Sequence, residues 1–474
     1  MNRVFSNLFW KFGERISSQL VSFIVSIVLA RLLSPTEYGT ISLILIFITI
    51  AEVFVTSGFG SALIQKLDAD NVDFSSVFYV NIVFSCFLYL IIFLVSPYIA
   101  RFYNSPILSP TLRVLGIRIP IAAINSIQQA YVSKKMMFRK FFISTLFGTI
   151  SSGLIGISMA YLGFGVWALV GQYLVNTIVN TIVLWFTVKW RPERVFSWGK
   201  VSSLISYGWK LLFSSLLDTG YNQLRSLVIG IKYSSDDLAY YNRGLQYPQL
   251  LVTNINSSIS SVLFPAISEQ QEHLDVVKNL TRRAIKTSSY IMWPLMIGLA
   301  VIAKPLVQLM LTEKWLPCVP YLQISCIAYA FWPIHTANLE SLKAIGRSDV
   351  FLRLEIVKKC LGIFLLLLSM NYGVMAIAIS MFISNTISSF INAYPNRNLL
   401  KYSFVDQLKD MAPGLLLSIL MGILIYPLSL FIFNPFVLLL MQIFIGALFY
   451  ILISKLLKIE SFMYILKFFR KGEK

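Results

Sequence analysis

The chain has 474 residues, of which 57 % are hydrophobic and only 13 % are charged. Its mean hydropathy is +0.73, and a soluble protein needs about twice that charged fraction to cover its surface. The formal net charge of +19 would suit a nucleic-acid-binding protein, whose basic residues gather on one soluble face. Here the Lys and Arg residues instead cluster between long apolar runs, as they do where they fix the orientation of a membrane protein. Composition and charge placement therefore predict an integral membrane protein with no nucleic-acid partner.

The apolar runs are about 20 residues long, which is enough for a helix to cross a bilayer. Counting them predicts an all-α fold with about 14 transmembrane helices, joined by short loops and without a separate soluble domain. In chain order, the predicted spans are 9–31, 39–60, 75–100, 110–133, 140–161, 165–188, 203–230, 237–265, 284–310, 318–343, 350–370, 372–394, 410–432 and 436–457. Basic residues concentrate in alternate loops and at both ends of the chain, so we expect both termini to be cytoplasmic.

The turn between the first two spans carries a helix-start signal that returns in the second half. Ser34 can cap the second span, Pro35 suits its first position, and Glu37 stands where its side chain reaches back to the cap. Ser234 and Asp237 occupy the same positions 200 residues later. Two further matches follow in the same order, Gly165-Val166 with Gly373-Val374 and residues 176–178 with 385–387. Their order along the chain predicts a duplication.

The duplication divides the predicted spans into two bundles of six helices, in residues 1–200 and 201–400. Residues 401–474 then supply two extra transmembrane helices and a basic cytoplasmic tail. Six is an even number, so both bundles have the same orientation and are related by a pseudo-two-fold axis along the membrane normal. Two such bundles would enclose a central cavity that opens to either side, which is the architecture of a transporter.

Ionisable residues at membrane depth are costly, so they usually face a wet cavity or a partner. The candidates for a substrate-binding cavity are Arg15, Glu52, Arg118, Lys210, Asp218, Arg225, Arg243, Glu340 and Lys343. Cations outnumber acids among them, and arginine side chains match phosphate oxygens geometrically, so an anionic cargo is predicted. Asp218 and Glu52 are the candidates for a counter-ion or for a proton or Na⁺ site, and the sequence does not choose between these roles.

A purely structural explanation competes for each of these residues. Any one of them can pair with a neighbouring helix, and Lys210 lies near a cytoplasmic helix end where it can snorkel to the interface. Asp218 and Arg225 are seven residues apart and so share one helix face within about 20°. We find no nucleotide-binding Gly-Lys-Ser/Thr motif, no His/Cys set with metal-ligand spacing and no catalytic residues. No cofactor is expected, and an ion gradient or the membrane potential is the candidate energy source.

The residues around the first turn resemble a known family. Leu29-Ala30-Arg31-Leu32-Leu33-Ser34-Pro35-x-Glu37-Tyr38-Gly39, followed by Gly58-Phe59-Gly60-x-Ala62-Leu63-Ile64-Gln65, is similar to the polysaccharide transport family. Tyr207-Gly208 and Phe264-Pro265-Ala266-Ile267-Ser268 also resemble it, as does the number of helices. This family contains flippases for lipid-linked oligosaccharides, such as those for lipopolysaccharide O-antigen or capsule. It belongs to the multidrug/oligosaccharidyl-lipid/polysaccharide exporter superfamily.

The resemblance implies a flippase for polyprenyl-diphosphate-linked oligosaccharide, moved from the inner to the outer leaflet by alternating access. It implies a bacterial inner membrane location, membrane lipid and the lipid-linked sugar as partners, and a monomer. Other polysaccharide-assembly membrane proteins are candidate partners. An ion-coupled multidrug antiporter of the same superfamily is the first alternative, but it normally has twelve helices and an acidic cavity. A membrane polysaccharide polymerase or ligase is the second, but such enzymes usually carry a large outer loop that this chain lacks.

Overall fold

The computed structural model describes the backbone of residues 2–471 and the side chains of residue 13 and residues 15–467. Every regular element in that part of the chain is a helix. The chain divides into two compact units, Met1–Ala239 and Tyr240–Lys474. The helices of the first unit are α1 (Asn2–Leu32), α2 (Pro35–Thr56), α3 (Phe59–Gln65), α4 (Asn71–Phe102), α5 (Leu108–Gly116), α6 (Arg118–Lys134), α7 (Phe138–Tyr161), α8 (Val166–Thr187) and α9 (Trp198–Lys232).

The division between the units falls inside α10 (Ser235–Ser268), and the second unit continues with α11 (Leu274–Leu311) and a 3₁₀ helix (Glu313–Cys318). The remaining helices are α12 (Val319–Ala330), α13 (Trp332–Ala344), α14 (Ser348–Ser369), α15 (Val374–Leu399), α16 (Phe404–Ile425), α17 (Leu428–Phe431), α18 (Pro435–Leu456) and α19 (Glu460–Lys471). Although the repeat assigns α9 to the second half, this helix packs on α2, α3 and α4.

Ten helical segments in the described part of the chain are long and apolar enough to cross a membrane. The other four predicted spans fall on α5 with α6, on α9, on α12 with α13, and on α14. The prediction of an all-α integral membrane protein is confirmed. Sequence reasoning missed α19, which lies in the stretch expected to be a simple basic tail.

Both predicted capping boxes form. The backbone nitrogen of Ser34 donates to Glu37 Oε2 at 2.6 Å, and the nitrogen of Glu37 donates to Ser34 Oγ at 3.3 Å. Asp237 and Ser234 exchange the same pair of bonds, at 3.1 and 3.3 Å. These bonds satisfy backbone donors that the first turn of a helix leaves without partners. The matched turns therefore start α2 and α10 by the same local chemistry, in agreement with the predicted duplication.

Two of the predicted spans, 110–133 and 318–343, are each divided into two helices. The first breaks at Ile117, between α5 and α6, and the second at Phe331, between α12 and α13. Pro120 and Pro333 stand within three residues of these breaks. Proline cannot donate the backbone hydrogen bond of an α-helix, and its ring clashes with the carbonyl four residues earlier. The breaks occupy equivalent places in the two halves, which further supports the duplication.

Glycines of the sequence motifs lie where two backbones touch. A Cβ added to Gly39 would lie 1.9 Å from the carbonyl oxygen of Ser235, at the start of α10. A Cβ on Gly208 of α9 would lie 3.2 Å from Gly58, whose own φ of +95° is a conformation that favours glycine. The motif residues therefore allow α9 and the start of α10 to pack against the ends of α2 at backbone distance.

Candidate functional site

Glu52 and Arg118 form an ion pair inside the first unit. Glu52 projects from α2 and Arg118 from the first residue of α6, directly after the break, and Arg118 Nε lies 2.9 Å from Glu52 Oε1. Both side chains are largely buried, with 25 % of Arg118 and 16 % of Glu52 exposed. The guanidinium carbon of Arg118 also lies 5.7 Å from the ring centre of Tyr173 on α8. Three helices thus position one cation and its counter-ion.

The charged residues of α9 are spread along its length. Lys210 and Asp218 are exposed, whereas Arg225 is half-buried. The Arg225 guanidinium lies 6.0 Å from the ring centre of Tyr221, one turn earlier. Its Nε is buried and makes no hydrogen bond to any part of the chain that the structure describes. A buried guanidinium donor of this kind is costly unless a ligand or a water completes it.

Arg243, on α10, is the most deeply buried arginine of the candidate set. Only 5 % of this residue is exposed. One terminal nitrogen donates to Gln246 Oε1 at 2.7 Å, and the guanidinium carbon lies 5.0 Å from the ring centre of Trp315. The tryptophan belongs to the 3₁₀ helix, so an irregular segment holds the aromatic partner.

Glu340 and Lys343 satisfy one another within α13. Lys343 Nζ donates to Glu340 Oε1 at 2.7 Å, and the hydroxyl of Ser260 donates to the same oxygen at 3.1 Å. Glu340 is 8 % exposed. For these two residues the structure supplies the structural pairing that the sequence left as an alternative. Arg15 is half-buried on α1, which packs along α7.

The three arginines Arg118, Arg225 and Arg243 share a stacking arrangement. Each guanidinium lies within about 6 Å of an aromatic ring centre, the range over which a cation is attracted by the ring face. The planar guanidinium can bind an anion along its edge while a ring covers its face. Each of these guanidinium groups can therefore bind an oxyanion along its edge. That these residues line one central cavity stays a prediction.

Three amide side chains form a buried cluster in the second unit, which the sequence did not predict. Asn338 on α13 donates to Gln407 on α16 at 2.9 Å and accepts from Gln407 at 3.0 Å and from Asn396 on α15 at 2.6 Å. All three residues are completely buried. Asn338 thus joins α13 to α15 and α16. Because the partners lie 58 and 69 residues away, no local pattern could have revealed them.

His335 lies close to this cluster and is packed rather than poised for catalysis. It is 9 % exposed, and its Nδ1 lies 2.8 Å from Asn392 Nδ2. Among the described residues, no group of three or more His, Cys, Asp and Glu side chains could hold a metal ion.

The fold matches the solved structure of the lipid II flippase MurJ in an inward closed conformation. The TM-score is 0.76 at 18 % sequence identity, over 95 % of this chain and 98 % of that chain. The two proteins therefore share a fold. The chain belongs to the polysaccharide biosynthesis protein family, whose model matches residues 28–320.

Two relatives illustrate the family. The chain is 24 % identical to the teichuronic acid biosynthesis protein TuaB of Bacillus subtilis (strain 168), over 73 % of this chain and 72 % of that protein. It is 23 % identical to the lipopolysaccharide biosynthesis protein WzxC of Escherichia coli (strain K12), over 71 % of this chain and 69 % of that protein. The resemblance to the polysaccharide transport family is confirmed, and so is the prediction of a transporter rather than an enzyme.

Proposed function

We propose that this protein flips a polyprenyl-diphosphate-linked oligosaccharide from the inner to the outer leaflet of a bacterial inner membrane, for surface polysaccharide biosynthesis. The observation that carries the proposal is the set of arginines Arg118, Arg225 and Arg243, each placed against an aromatic ring. The family and the names of its relatives, which refer to teichuronic acid and lipopolysaccharide biosynthesis, support a polysaccharide cargo.

The proposed binding mode follows from the chemistry of these side chains. The edges of the guanidinium groups bind the diphosphate oxygens through charge-assisted hydrogen bonds, which are stronger than neutral ones. The polyprenyl tail stays in the lipid, because moving it into a wet cavity would lose its favourable apolar burial. The oligosaccharide then passes through the protein by alternating access. Both termini are cytoplasmic in this proposal, as the basic loops indicate.

Glu52 has a specific part in the proposal. Its carboxylate neutralises Arg118. An arriving diphosphate competes for the same guanidinium, and the released carboxylate is then available to a proton or Na⁺. Asp218, exposed on α9, is the other acid that can take that role. The protein needs no cofactor in this scheme, and an ion gradient or the membrane potential supplies the driving force.

The decisive experiment uses proteoliposomes with a fluorescent polyprenyl diphosphate oligosaccharide. We expect the wild type to accelerate its transbilayer movement and Arg225→Gln to abolish the acceleration. The matched control is Arg194→Gln, which removes one exposed cation from the loop before α9. Equal movement in wild-type and protein-free vesicles, with and without an imposed ion gradient, would refute the flippase.

The same vesicles separate the alternatives. Gradient-dependent efflux of a cationic dye without movement of the lipid-linked sugar would favour the multidrug antiporter. Lengthened glycan products would favour a polymerase. Loss of gradient dependence in Glu52→Gln, with Asp218→Asn unaffected, would assign the coupling site to Glu52, and the reverse result would assign it to Asp218.

A further inference from the structure

A groove of about 610 Å³ lies where α14, α15 and the start of α16 meet. Its apolar walls include Leu354, Phe390, Tyr394 and Val405. The ring centres of Phe390 and Phe404 lie 3.8 Å apart and join α15 to α16 along the groove. The volume falls in the range of about 300–1,000 Å³ that is usual for small-molecule sites in proteins.

The groove is open to its surroundings and strongly apolar. Phe390 is 52 % exposed, Tyr394 67 % and Val405 58 %. Because α15 and α16 both lie in segments that are long and apolar enough to cross a membrane, we expect the apolar walls of the groove to face lipid. Lipid acyl chains are the apolar groups that such walls contact.

One end of the groove carries a positive charge. Arg397, in the last turn of α15, is the one charged residue among those that line the groove. Two further exposed cations are neighbours of lining residues in the sequence. Arg353 directly precedes Leu354, and Lys401 lies two residues before Ser403. Arg397 is therefore the cation that the structure places in the groove itself.

The nearby acids are already engaged. Asp406 Oδ2 accepts from the backbone nitrogen and the hydroxyl of Ser403 at 3.1 and 2.6 Å, which completes the capping box of α16. Asp410 accepts two bonds from Arg282, at 2.6 and 2.7 Å, and one from the hydroxyl of Tyr402 at 2.9 Å. Within the part of the chain that the structure describes, neither carboxylate forms an ion pair with Arg397.

We propose that this groove is a binding site for an anionic phospholipid. One acyl chain lies along the aromatic wall of α15, and the headgroup phosphate binds the guanidinium of Arg397. The combination of an apolar channel and a cation at one end fits an amphipathic anion, because guanidinium groups bind phosphate oxygens in pairs. The site goes beyond the proposed cargo pathway, and its test uses no cargo.

The test is native mass spectrometry of the intact protein in non-ionic detergent, following the first bound lipid. Phosphatidylglycerol and phosphatidylcholine with identical chains are compared, and glycerol phosphate serves as the headgroup without chains. We expect wild-type protein to prefer phosphatidylglycerol by about fivefold, as one basic residue near an anionic headgroup supplies. Arg397→Gln removes the preference, and Arg194→Gln, which removes an exposed cation from a loop of the first unit, retains it.

A second variant tests the apolar wall. Val405→Trp fills the groove while leaving Arg397 in place, so it should lower the binding of both lipids without changing the thermal transition of the protein. Equal binding of the two lipids by the wild type would overturn the proposal, as would equal losses in Arg397→Gln and Arg194→Gln. Displacement of phosphatidylglycerol by equimolar glycerol phosphate would show that free phosphate, not a lipid, is the ligand.

Discussion

The ion pair between Glu52 and Arg118 gives a quantitative test of the candidate site. Glu52→Gln keeps the size of the side chain but leaves Arg118 without its counter-ion in a largely buried position. Breaking a fully buried ion pair costs about 3–5 kcal/mol, because one charge remains desolvated and unpaired. Here 25 % of Arg118 and 16 % of Glu52 are exposed, so water screens part of that charge. We therefore expect a loss of about 2 kcal/mol in the free energy of unfolding.

The assay is a double-mutant cycle with Glu52→Gln, Arg118→Gln and the double variant, each unfolded by SDS titration in mixed micelles. The double variant should be less destabilised than the sum of the single variants, since each single change strands the other partner. We expect a coupling energy of about 2 kcal/mol, reduced little by added salt because the pair is shielded from solvent. Additive single effects, within about 0.5 kcal/mol, would show that the two groups do not stabilise one another.

Two further predictions concern packing and charge outside the candidate site. Gly39→Ala should prevent close packing on Ser235, whose carbonyl would lie 1.9 Å from the new Cβ, and should lower the thermal transition strongly. Gly220→Ala is the control, since its Cβ meets nothing within 4 Å and alanine favours the helix by about 1 kcal/mol. Equal transitions for the two variants would contradict this account of the motif. Lys200 lowers the pKa of Asp70 from its ordinary 3.8 to about 2. The stabilisation from this carboxylate is complete above pH 3.8 and is lost as the pH falls towards 2, so Asp70→Asn should flatten the pH dependence of the transition in that window. If the thermal transition of Asp70→Asn depends on pH as steeply as that of the wild type, Asp70 does not supply this stabilisation.

Local signals predicted the helix starts well. Ser34 with Glu37 and Ser234 with Asp237 form the capping boxes that their spacing indicates, because a cap depends only on residues three positions apart. Gly373 likewise precedes the first residue of α15, with a φ of +97°. Signals between residues a few positions apart do not depend on how distant helices pack.

Pairing between distant helices could not be predicted in the same way. The charge inventory found Glu340 and Lys343 but could not show that they pair with one another and with Ser260, which is 80 residues away. The sequence also could not show that Glu52 pairs with Arg118, because the position of Arg118 depends on the helix break at Ile117. Ionisable residues in a membrane are few, yet each has several candidate partners until the helices are packed.

The sequence by itself determined the class of the protein, the run of helices, the capping of α2 and α10 and the family. These properties follow from hydropathy, charge placement and short motifs, which act over a few turns of chain. Only the tertiary structure decided that Gly39 and Gly208 serve backbone contacts, that Arg118 is neutralised by Glu52, and that Arg397 stands beside an apolar groove. Those properties depend on the distances between helices, which are set by packing across many residues rather than by any local pattern.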